Sequence, residues 1–522
     1  MSTALKLIRN TAYHAGGRIW QIAVSIFLAP LILSYLGDQQ FGLWVLFWTF
    51  SVYFMFMDFG LGVSLVRETV FCHSQCVWLP INKAVNSLFL LYIILGATVS
   101  FVSYYLSPWL AVNLDISADM KRFVSEILIW SGGIFALIGI VNTCSALLRG
   151  LQRYDQITKA MVYVSFPNVI GSYVVLAMGY GIPGLLWVVA GVYTLQVCIL
   201  LFYVKQLIPE LAFGAHFLSF QQIKGMLPFG MRIQVSKLAE LASYQSDKVL
   251  LAFLLPIQFV TMYDLGARVA SLMRDLPYSL TSAVFPAASE MHEKADFEKL
   301  WKMYDRGSKY MLLITFPMLI GIYLTAHLVI GMWLGNVAVE VYQSVLILSF
   351  AYWVVISVAM IFSVGTGMGW STPIMQSALL QALLNIVLSY ALIKEIGFMG
   401  ALYGTTISIV IANSILYIRF CRCFHQSIRV ELKRFWLVFK ANILPMVLCG
   451  VFVMYGNVWL EWGNRMQSLL FFMIIVLTYA LSYIFSLKMM RVFDQEDLRL
   501  LGGKLPFLEK LIGVPKKRGQ GI

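Results

Sequence analysis

The feature that most constrains the fold of this chain is a series of long apolar runs, which begins near residue 17 and ends near residue 487. Because about 20 mostly apolar residues suffice for a helix to cross a membrane, we count about fourteen spans. Hydrophobic residues make up 60% of the chain and charged residues only 12%. The alternating pattern of a membrane β-barrel is absent. The sequence therefore predicts an all-α polytopic membrane protein.

Lysine and arginine are concentrated in the loops on one side of these helices, for example at Arg67, Lys159 and Arg429. By the positive-inside rule this side faces the cytoplasm, so both termini are predicted to be cytoplasmic. These loops account for the net charge of +13, which therefore does not indicate nucleic-acid binding. The predicted spans are 17–36, 41–66, 83–107, 123–148, 157–179, 181–204, 227–255, 259–287, 310–334, 340–365, 372–394, 397–420, 436–460 and 467–487.

The second half of the chain repeats features of the first. The segment Asn168-Val-Ile-Gly-Ser172 matches Asn385-Ile-Val-Leu-Ser389, 217 residues later. Each copy contains six predicted spans, and because six is an even number, both copies have the same orientation in the membrane. Transporters of this kind have two lobes related by a pseudo-two-fold axis along the membrane normal. Chance similarity between apolar helices is the alternative. The predicted parts are an N-terminal six-helix lobe (1–204), a cytoplasmic linker (205–225), a C-terminal six-helix lobe (226–423), two additional helices (424–487) and a basic cytoplasmic tail (488–522).

Charged residues interrupt the run from Leu227 to Leu255, which also contains Lys237. At about 100° per residue, Arg232, Glu240 and Asp247 fall on one face of the predicted helix. A charge at mid-membrane costs about 3 kcal/mol if it faces lipid. The charged face is therefore predicted to look into protein or into a wet cavity, as in a transporter. A structural seam of ion pairs between packed helices is the alternative.

The next predicted helix has its own polar stripe. Asp264 and Arg268 stand four residues apart and can pair on one face. Because the two helices form an antiparallel hairpin, Glu240 is predicted to lie at the depth of Arg268. By the same register, Arg232 is predicted to lie at the depth of Asp275.

Two further polar groups lie in the first half. Arg18 begins a stripe with Gln21 and Ser25 in the first span. Asp58 sits toward the cytoplasmic end of the second span. An intramembrane carboxylate is a candidate for ion or proton coupling, and helix-end capping or pairing is the alternative for Asp58.

Motifs for built-in chemistry are absent from the sequence. It has no G-x-x-x-x-G-K-[ST] phosphate loop and no four ligands at zinc spacing. An enzyme that acts on glycans at the outer surface needs a catalytic loop, but the outer loops are mostly shorter than about ten residues. We therefore predict that the chain is not an enzyme and requires neither a metal nor a cofactor.

A series of short motifs follows in a specific order along the chain: Arg18, Tyr35-Leu-Gly-Asp-Gln-Gln-Phe-Gly42, Met57-Asp-Phe-Gly-Leu-Gly62 with Arg67, Leu148-Arg-Gly-Leu-Gln-Arg-Tyr154, Asp247, Tyr263, Phe285-Pro286 and Met332-Trp-Leu-Gly335. In this order they resemble the oligosaccharide flippases of the multidrug/oligosaccharidyl-lipid/polysaccharide exporter superfamily. The likeness covers the first twelve spans.

The resemblance implies a location in the bacterial inner membrane. It also implies that the chain moves undecaprenyl-diphosphate-linked oligosaccharides from the inner to the outer leaflet of this membrane by alternating access, for O-antigen (lipopolysaccharide), capsule or exopolysaccharide synthesis. It also implies partners among membrane lipids, polysaccharide polymerases and chain-length machinery. Arginine offers bidentate donors to phosphate, so cations are the candidates for binding the diphosphate. The candidate substrate-binding residues are Arg18, Arg232, Lys237 and Arg268. The candidate ion-coupling residues are Asp58, Glu240, Asp247 and Asp264.

Three other functions are weighed against this one. A multidrug cation antiporter of the same superfamily requires an acidic cavity, whereas the charges here mix both signs. An outer-leaflet glycan polymerase or ligase is disfavoured by the short outer loops. A scaffold without transport activity leaves the charged stripes unexplained.

Overall fold

The computed structural model describes residues 3–54, 58–114, 116, 118–281, 284–335, 338–427, 429–459, 465–490, 492–493 and 497. The described residues form helices and no strands, which confirms the all-α fold. The helices are α1 (Thr3–Phe54), α2 (Leu61–Gln75), α3 (Leu79–Asn113), α4 (Ala118–Gly150), α5 (Tyr154–Ala177), α6 (Gly181–Leu207), α7 (Phe220–Leu254), α8 (Gln258–Thr281), α9 (Val284–Glu293), α10 (Phe297–Leu334), α11 (Val339–Ser357), α12 (Ala359–Gly367), α13 (Ser371–Ile396), α14 (Phe398–Cys423), α15 (Arg429–Trp459) and α16 (Arg465–Met489).

Eleven helical segments in the described part of the chain are long and apolar enough to cross a membrane. One of them, in α1, covers most of two predicted spans, because the helix continues through a kink at Gly37, where φ is 70°. The more polar helices α7 and α8 occupy two further predicted spans. The helices therefore agree with about fourteen membrane crossings.

The second predicted span, 41–66, is interrupted in the structure. α1 ends at Phe54 and α2 begins at Leu61. Phe59 and Gly60, between them, have φ values of 49° and 72°, in the left-handed region that ends a helix. Asp58, in a 3₁₀ turn, consequently lies directly before this break. The sequence prediction missed the break because the apolar pattern continues across it.

The chain divides into two compact units. The first contains Met1–Arg268 and Ala378–Ser408, and the second contains Val269–Ser377 and Ile409–Ile522. The division into two six-helix lobes remains a prediction.

In the first unit, one buried apolar cluster joins α2, α3, α4 and α6 to the beginning of α7. The segment between α6 and α7, predicted as a cytoplasmic linker, enters this cluster through Ile208 and Leu211, which are both fully buried. This connector is therefore part of the core of the unit.

The second unit is organised around α10, which packs on α11, α12, α15 and α16. The guanidinium of Arg434 in α15 lies 2.6 Å from the Asp305 carboxylate of α10. From the predicted tail, the buried carboxylate of Asp497 accepts hydrogen bonds from Lys309 Nζ at 2.6 Å and Tyr310 Oη at 2.5 Å. Most of the predicted tail lies outside the described residues.

Candidate functional site

Two polar clusters lie on different sides of the hairpin formed by α7 and α8 in the first unit. Asp247 of α7 accepts a hydrogen bond from Tyr263 of α8 at 2.9 Å. The next residues along the two helices, Lys248 and Asp264, form an ion pair at 2.7 Å. The first pair contacts α13 and α14, while the second contacts α1.

The carboxylate of Asp247 accepts hydrogen bonds from four neutral side chains. Besides Tyr263, Ser389 Oγ donates at 2.6 Å and Thr405 Oγ1 at 2.5 Å. Asn385 Nδ2 lies 3.4 and 3.3 Å from the two carboxylate oxygens. The amide oxygen of Asn385 accepts in turn from Ser246 Oγ at 2.6 Å. The helices α7, α8, α13 and α14 thus all contribute to one hydrogen-bonded site.

This site is closed to solvent, since Asp247, Asn385, Ser389 and Thr405 are each 0% exposed. Among the described residues, no lysine, arginine or histidine forms an ion pair with Asp247 within 4 Å. An isolated carboxylate is very unfavourable in such surroundings, but hydrogen bonds to a charged group contribute about 1.5–3 kcal/mol each. The arrangement of one carboxylate and several neutral oxygens is suited to a proton or a small hard cation.

Asp264 is the centre of the second cluster. Its second carboxylate oxygen lies 2.6 Å from Arg268 Nε, in addition to the ion pair with Lys248. The predicted pairing of Asp264 with Arg268 is therefore observed. With two cations and one anion, this cationic trio (Lys248, Asp264 and Arg268) has a net charge of +1.

The cationic trio is joined to the polar stripe of α1. Arg268 Nη1 donates to Ser25 Oγ at 2.5 Å. Arg18 is exposed and lies seven residues before Ser25, which places it on the same face, about 10 Å along the helix. The structure thus brings the stripe that begins at Arg18 to the cationic trio.

Asp58 accepts a hydrogen bond from Tyr92 Oη of α3. It lies directly before the break at Phe59 and Gly60 and is about half-buried. The proposed alternatives for Asp58, pairing at a helix end and ion coupling, both remain open.

The side chains of Arg232, Lys237 and Glu240 lie outside the described residues. The two predicted depth relations of these residues, with Arg268 and Asp275, stay predictions for this reason. Of the predicted charged face of α7, the side chain of Asp247 is described, and it is buried. This part of the face looks into protein.

Sequence reasoning did not assign Lys248, Asn385, Ser389 or Thr405 to a site. In the sequence, Asn385 and Ser389 stand out only as part of the predicted internal repeat. A lysine next to Asp247 was a visible signal, whereas serine and threonine are common at packed membrane helices and carry little information by themselves.

The family model described as "Polysaccharide biosynthesis protein" matches residues 34–343, which is more than half of the chain. The chain belongs to this family. Among similar polysaccharide biosynthesis and membrane proteins is "Probable flippase AglR" of Haloferax volcanii, 22% identical over 419 residues, which cover 79% of this chain and 83% of that protein. An uncharacterized membrane protein of Methanocaldococcus jannaschii is 20% identical over 424 residues, covering 78% of this chain and 82% of its own.

Two groups of solved structures share the fold of this polysaccharide biosynthesis protein. The lipid II flippase MurJ, in an inward closed conformation, matches with a TM-score of 0.68 and 15% identity, over 90% of this chain and 98% of MurJ. An inward-facing MATE multidrug transporter matches with a TM-score of 0.67 and 15% identity, over 77% of this chain and 94% of its own. The similar proteins whose names state an activity are flippases and transporters and not enzymes, as predicted.

Proposed function

We propose that this protein is a flippase that moves lipid-linked oligosaccharides of the undecaprenyl-diphosphate type from the inner to the outer leaflet by alternating access. The glycan is a unit of a surface polysaccharide such as O-antigen, capsule or exopolysaccharide. The observation that carries the proposal is the match to a polysaccharide biosynthesis family in a chain with the fold of MurJ and MATE transporters. A relative named as a flippase supports it further.

The cationic trio suits the diphosphate group of such a substrate. The side chains of Lys248 and Arg268 are 12% and 25% exposed, so both keep some accessible surface. A diphosphate leaving water needs cations, and the guanidinium can bind phosphate in a bidentate manner. We assign the diphosphate to Arg268, Lys248 and Arg18, with Arg232 and Lys237 as further candidates on α7.

Asp247 is the proposed ion-coupling residue. A carboxylate surrounded by neutral donors gains a counter-charge when it binds a proton or a cation, whereas Asp264 already has two cationic partners. Asp264 is therefore assigned to orient the diphosphate site. Asp58 and Glu240 remain secondary candidates for ion coupling.

Purified protein in proteoliposomes tests the proposal through the leaflet position of an undecaprenyl-diphosphate-linked oligosaccharide. We expect wild-type protein to translocate it and Asp247→Asn to reduce the rate by about tenfold or more, since one lost charge interaction of 1.4 kcal/mol corresponds to tenfold. Glu298→Gln, at a side chain that is 78% exposed, is the control and should transport normally. Absence of translocation by the wild-type protein would refute the proposed function.

The multidrug cation antiporter is the second candidate, favoured by the MATE likeness. The mixture of positive and negative side chains around Asp264 argues against it, because a site for a cationic drug requires mainly acidic groups. The same proteoliposomes decide between the two: uptake of a cationic dye without movement of the lipid-linked oligosaccharide would assign the protein to drug transport.

A further inference from the structure

Two asparagines, one helical turn apart on α3, hold the connector between α6 and α7. Asn82 Nδ2 donates to the carbonyl of Glu210 at 3.0 Å, and Asn82 Oδ1 accepts from the amide of Ala212 at 3.2 Å. Asn86 makes the same pair of bonds one step further, to the carbonyl of Ala212 at 2.9 Å and the amide of Gly214 at 3.0 Å. The connector cannot slide along α3 without breaking both pairs.

The beginning of α7 continues this attachment along α2. Ser64 Oγ donates to the carbonyl of Met226 at 2.8 Å. One turn further along α2 and one turn back along α7, Gln222 Nε2 donates to Glu68 Oε1 at 3.0 Å. The two antiparallel helices therefore keep a constant register over these turns.

The contact of α2 with the beginning of α7, called the seam below, ends where the same register brings two glycines together. A Cβ added at Gly230 would lie 2.6 Å from the carbonyl oxygen of Phe59, and one added at Gly60 would lie 2.3 Å from the carbonyl oxygen of Gly230. Both values are too short for real contacts, so only glycine at both positions allows this approach. The contact here is between backbone atoms, so no flexible side chain can move to relieve a clash.

Apolar burial distinguishes a fixed attachment from a gate. Leu61, Leu65, Ile208 and Leu211 are fully buried in this contact, and Met226 is 4% exposed. Exposing one such side chain costs about 1.5–3 kcal/mol, so opening the contact in every transport cycle would cost on the order of 10 kcal/mol. This is too much for a contact that separates in each cycle.

We propose that the connector and the first three turns of α7, Phe220 to Gly230, are a permanent part of the N-terminal helix group of α2, α3, α4 and α6. The proposal rests on alternating access in the proposed function. During alternation α7 bends beyond this anchor, while its distal part, with Asp247, moves with α8. The boundary between moving parts therefore lies inside α7 and not in the connector.

Hydrogen exchange of the full-length protein in lipid tests the anchor without any substrate. We expect the amides of Ala212 and Gly214 to exchange at least about tenfold more slowly in the wild type than in the Asn82→Ala/Asn86→Ala variant, because two hydrogen bonds of about 1 kcal/mol are lost. Asn113→Ala, which removes a bond to its own helix at the other end of α3, is the control and should change nothing in the connector. Equally fast exchange in the wild type would overturn the proposal.

A cross-link tests whether the seam must open during transport. In a background without the seven native cysteines, Glu68→Cys and Gln222→Cys are joined by a short bifunctional thiol reagent. We expect the linked protein to keep its transport rate within about twofold, a difference below 0.5 kcal/mol. Loss of transport on linking, with recovery after cleavage of the linker, would identify the seam as a gate and overturn the proposal.

A contact between α1 and the beginning of α8, close to the other end of α7, supplies the matched cross-link. There Thr261 Oγ1 donates to the carbonyl of Asp38 at 2.6 Å. We expect a reversible link between Asp38→Cys and Thr261→Cys to stop transport. If neither link affects transport, the hydrogen-exchange rates of Ala212 and Gly214 decide whether the connector is anchored. Should the unlinked protein move no lipid-linked oligosaccharide, the proposed function fails, and the exchange rates still decide the anchor.

Discussion

Asp264 lies between two cations, with Lys248 Nζ 2.7 Å from one carboxylate oxygen and Arg268 Nε 2.6 Å from the other. Breaking a buried pair costs about 3–5 kcal/mol, and the partial exposure of both cations reduces this to about 1–3 kcal/mol. We expect Asp264→Asn to lower the thermal stability of the purified protein accordingly. Adding Lys248→Met should restore part of the loss by removing one uncompensated charge. Unchanged stability of Asp264→Asn would contradict the described ion pairs.

Asp247 shows how much single residues reveal before a structure is known. A carboxylate in an apolar run is unfavourable unless it has partners, and this argument predicted a helix face that looks into protein or into a wet cavity. At Asp247 the face looks into protein. The partners themselves could not be predicted. Apart from Tyr263, which is 16 residues away, they lie 138 to 158 residues later in the chain, and all are neutral side chains. Helical periodicity within α7 contains no information about which helices pack against it.

At the scale of the helix, the contact of Gly230 with α2 provides a matched pair of substitutions. Gly230→Ala places a methyl group 2.6 Å from the Phe59 carbonyl oxygen, so we expect a loss of about 1–3 kcal/mol of stability from overpacking. Gly225→Ala, in the same helix, meets nothing within 4 Å and should be neutral or stabilising by about 0.5–1 kcal/mol. Thermal unfolding of both variants measures the difference, and equal effects would argue against the close helix contact.

The helices themselves were largely predictable, because a run of about 20 apolar residues indicates a membrane-spanning helix. Their interruptions were not. The break at Phe59 and Gly60 depends on two left-handed residues, and the attachment of the connector depends on Asn82 and Asn86, which contact backbone atoms more than 120 residues away. Backbone contacts of this kind leave no pattern in the sequence of the connector.

The predicted internal repeat relates only part of the Asp247 site to the first half of the chain. At the spacing of 217 residues, Asn168 and Ser172 correspond to Asn385 and Ser389, whereas Val188 corresponds to Thr405 and Pro30 to Asp247. At this spacing Asp247 has no acidic counterpart in the first half.

For the whole molecule, cysteine labelling tests the predicted orientation. Cys76 and Cys423 are exposed and lie in loops predicted to be cytoplasmic. We expect a membrane-impermeant maleimide to label both from the cytoplasmic side only. Cys72 should react more slowly, because burial raises the pKa of its thiol and only the thiolate reacts. Labelling of Cys76 from outside would reverse the predicted topology.

Under the proposed coupling, the neutral surroundings of Asp247 limit the number of ions that move in one turnover. One proton or one monovalent cation neutralises a single carboxylate whose hydrogen-bond partners are neutral. A tenfold gradient of such an ion supplies about 1.4 kcal/mol per turnover, and a membrane potential adds about 2.3 kcal/mol per charge and 100 mV. We therefore expect the steepest accumulation of transported lipid to follow the sum of these two contributions.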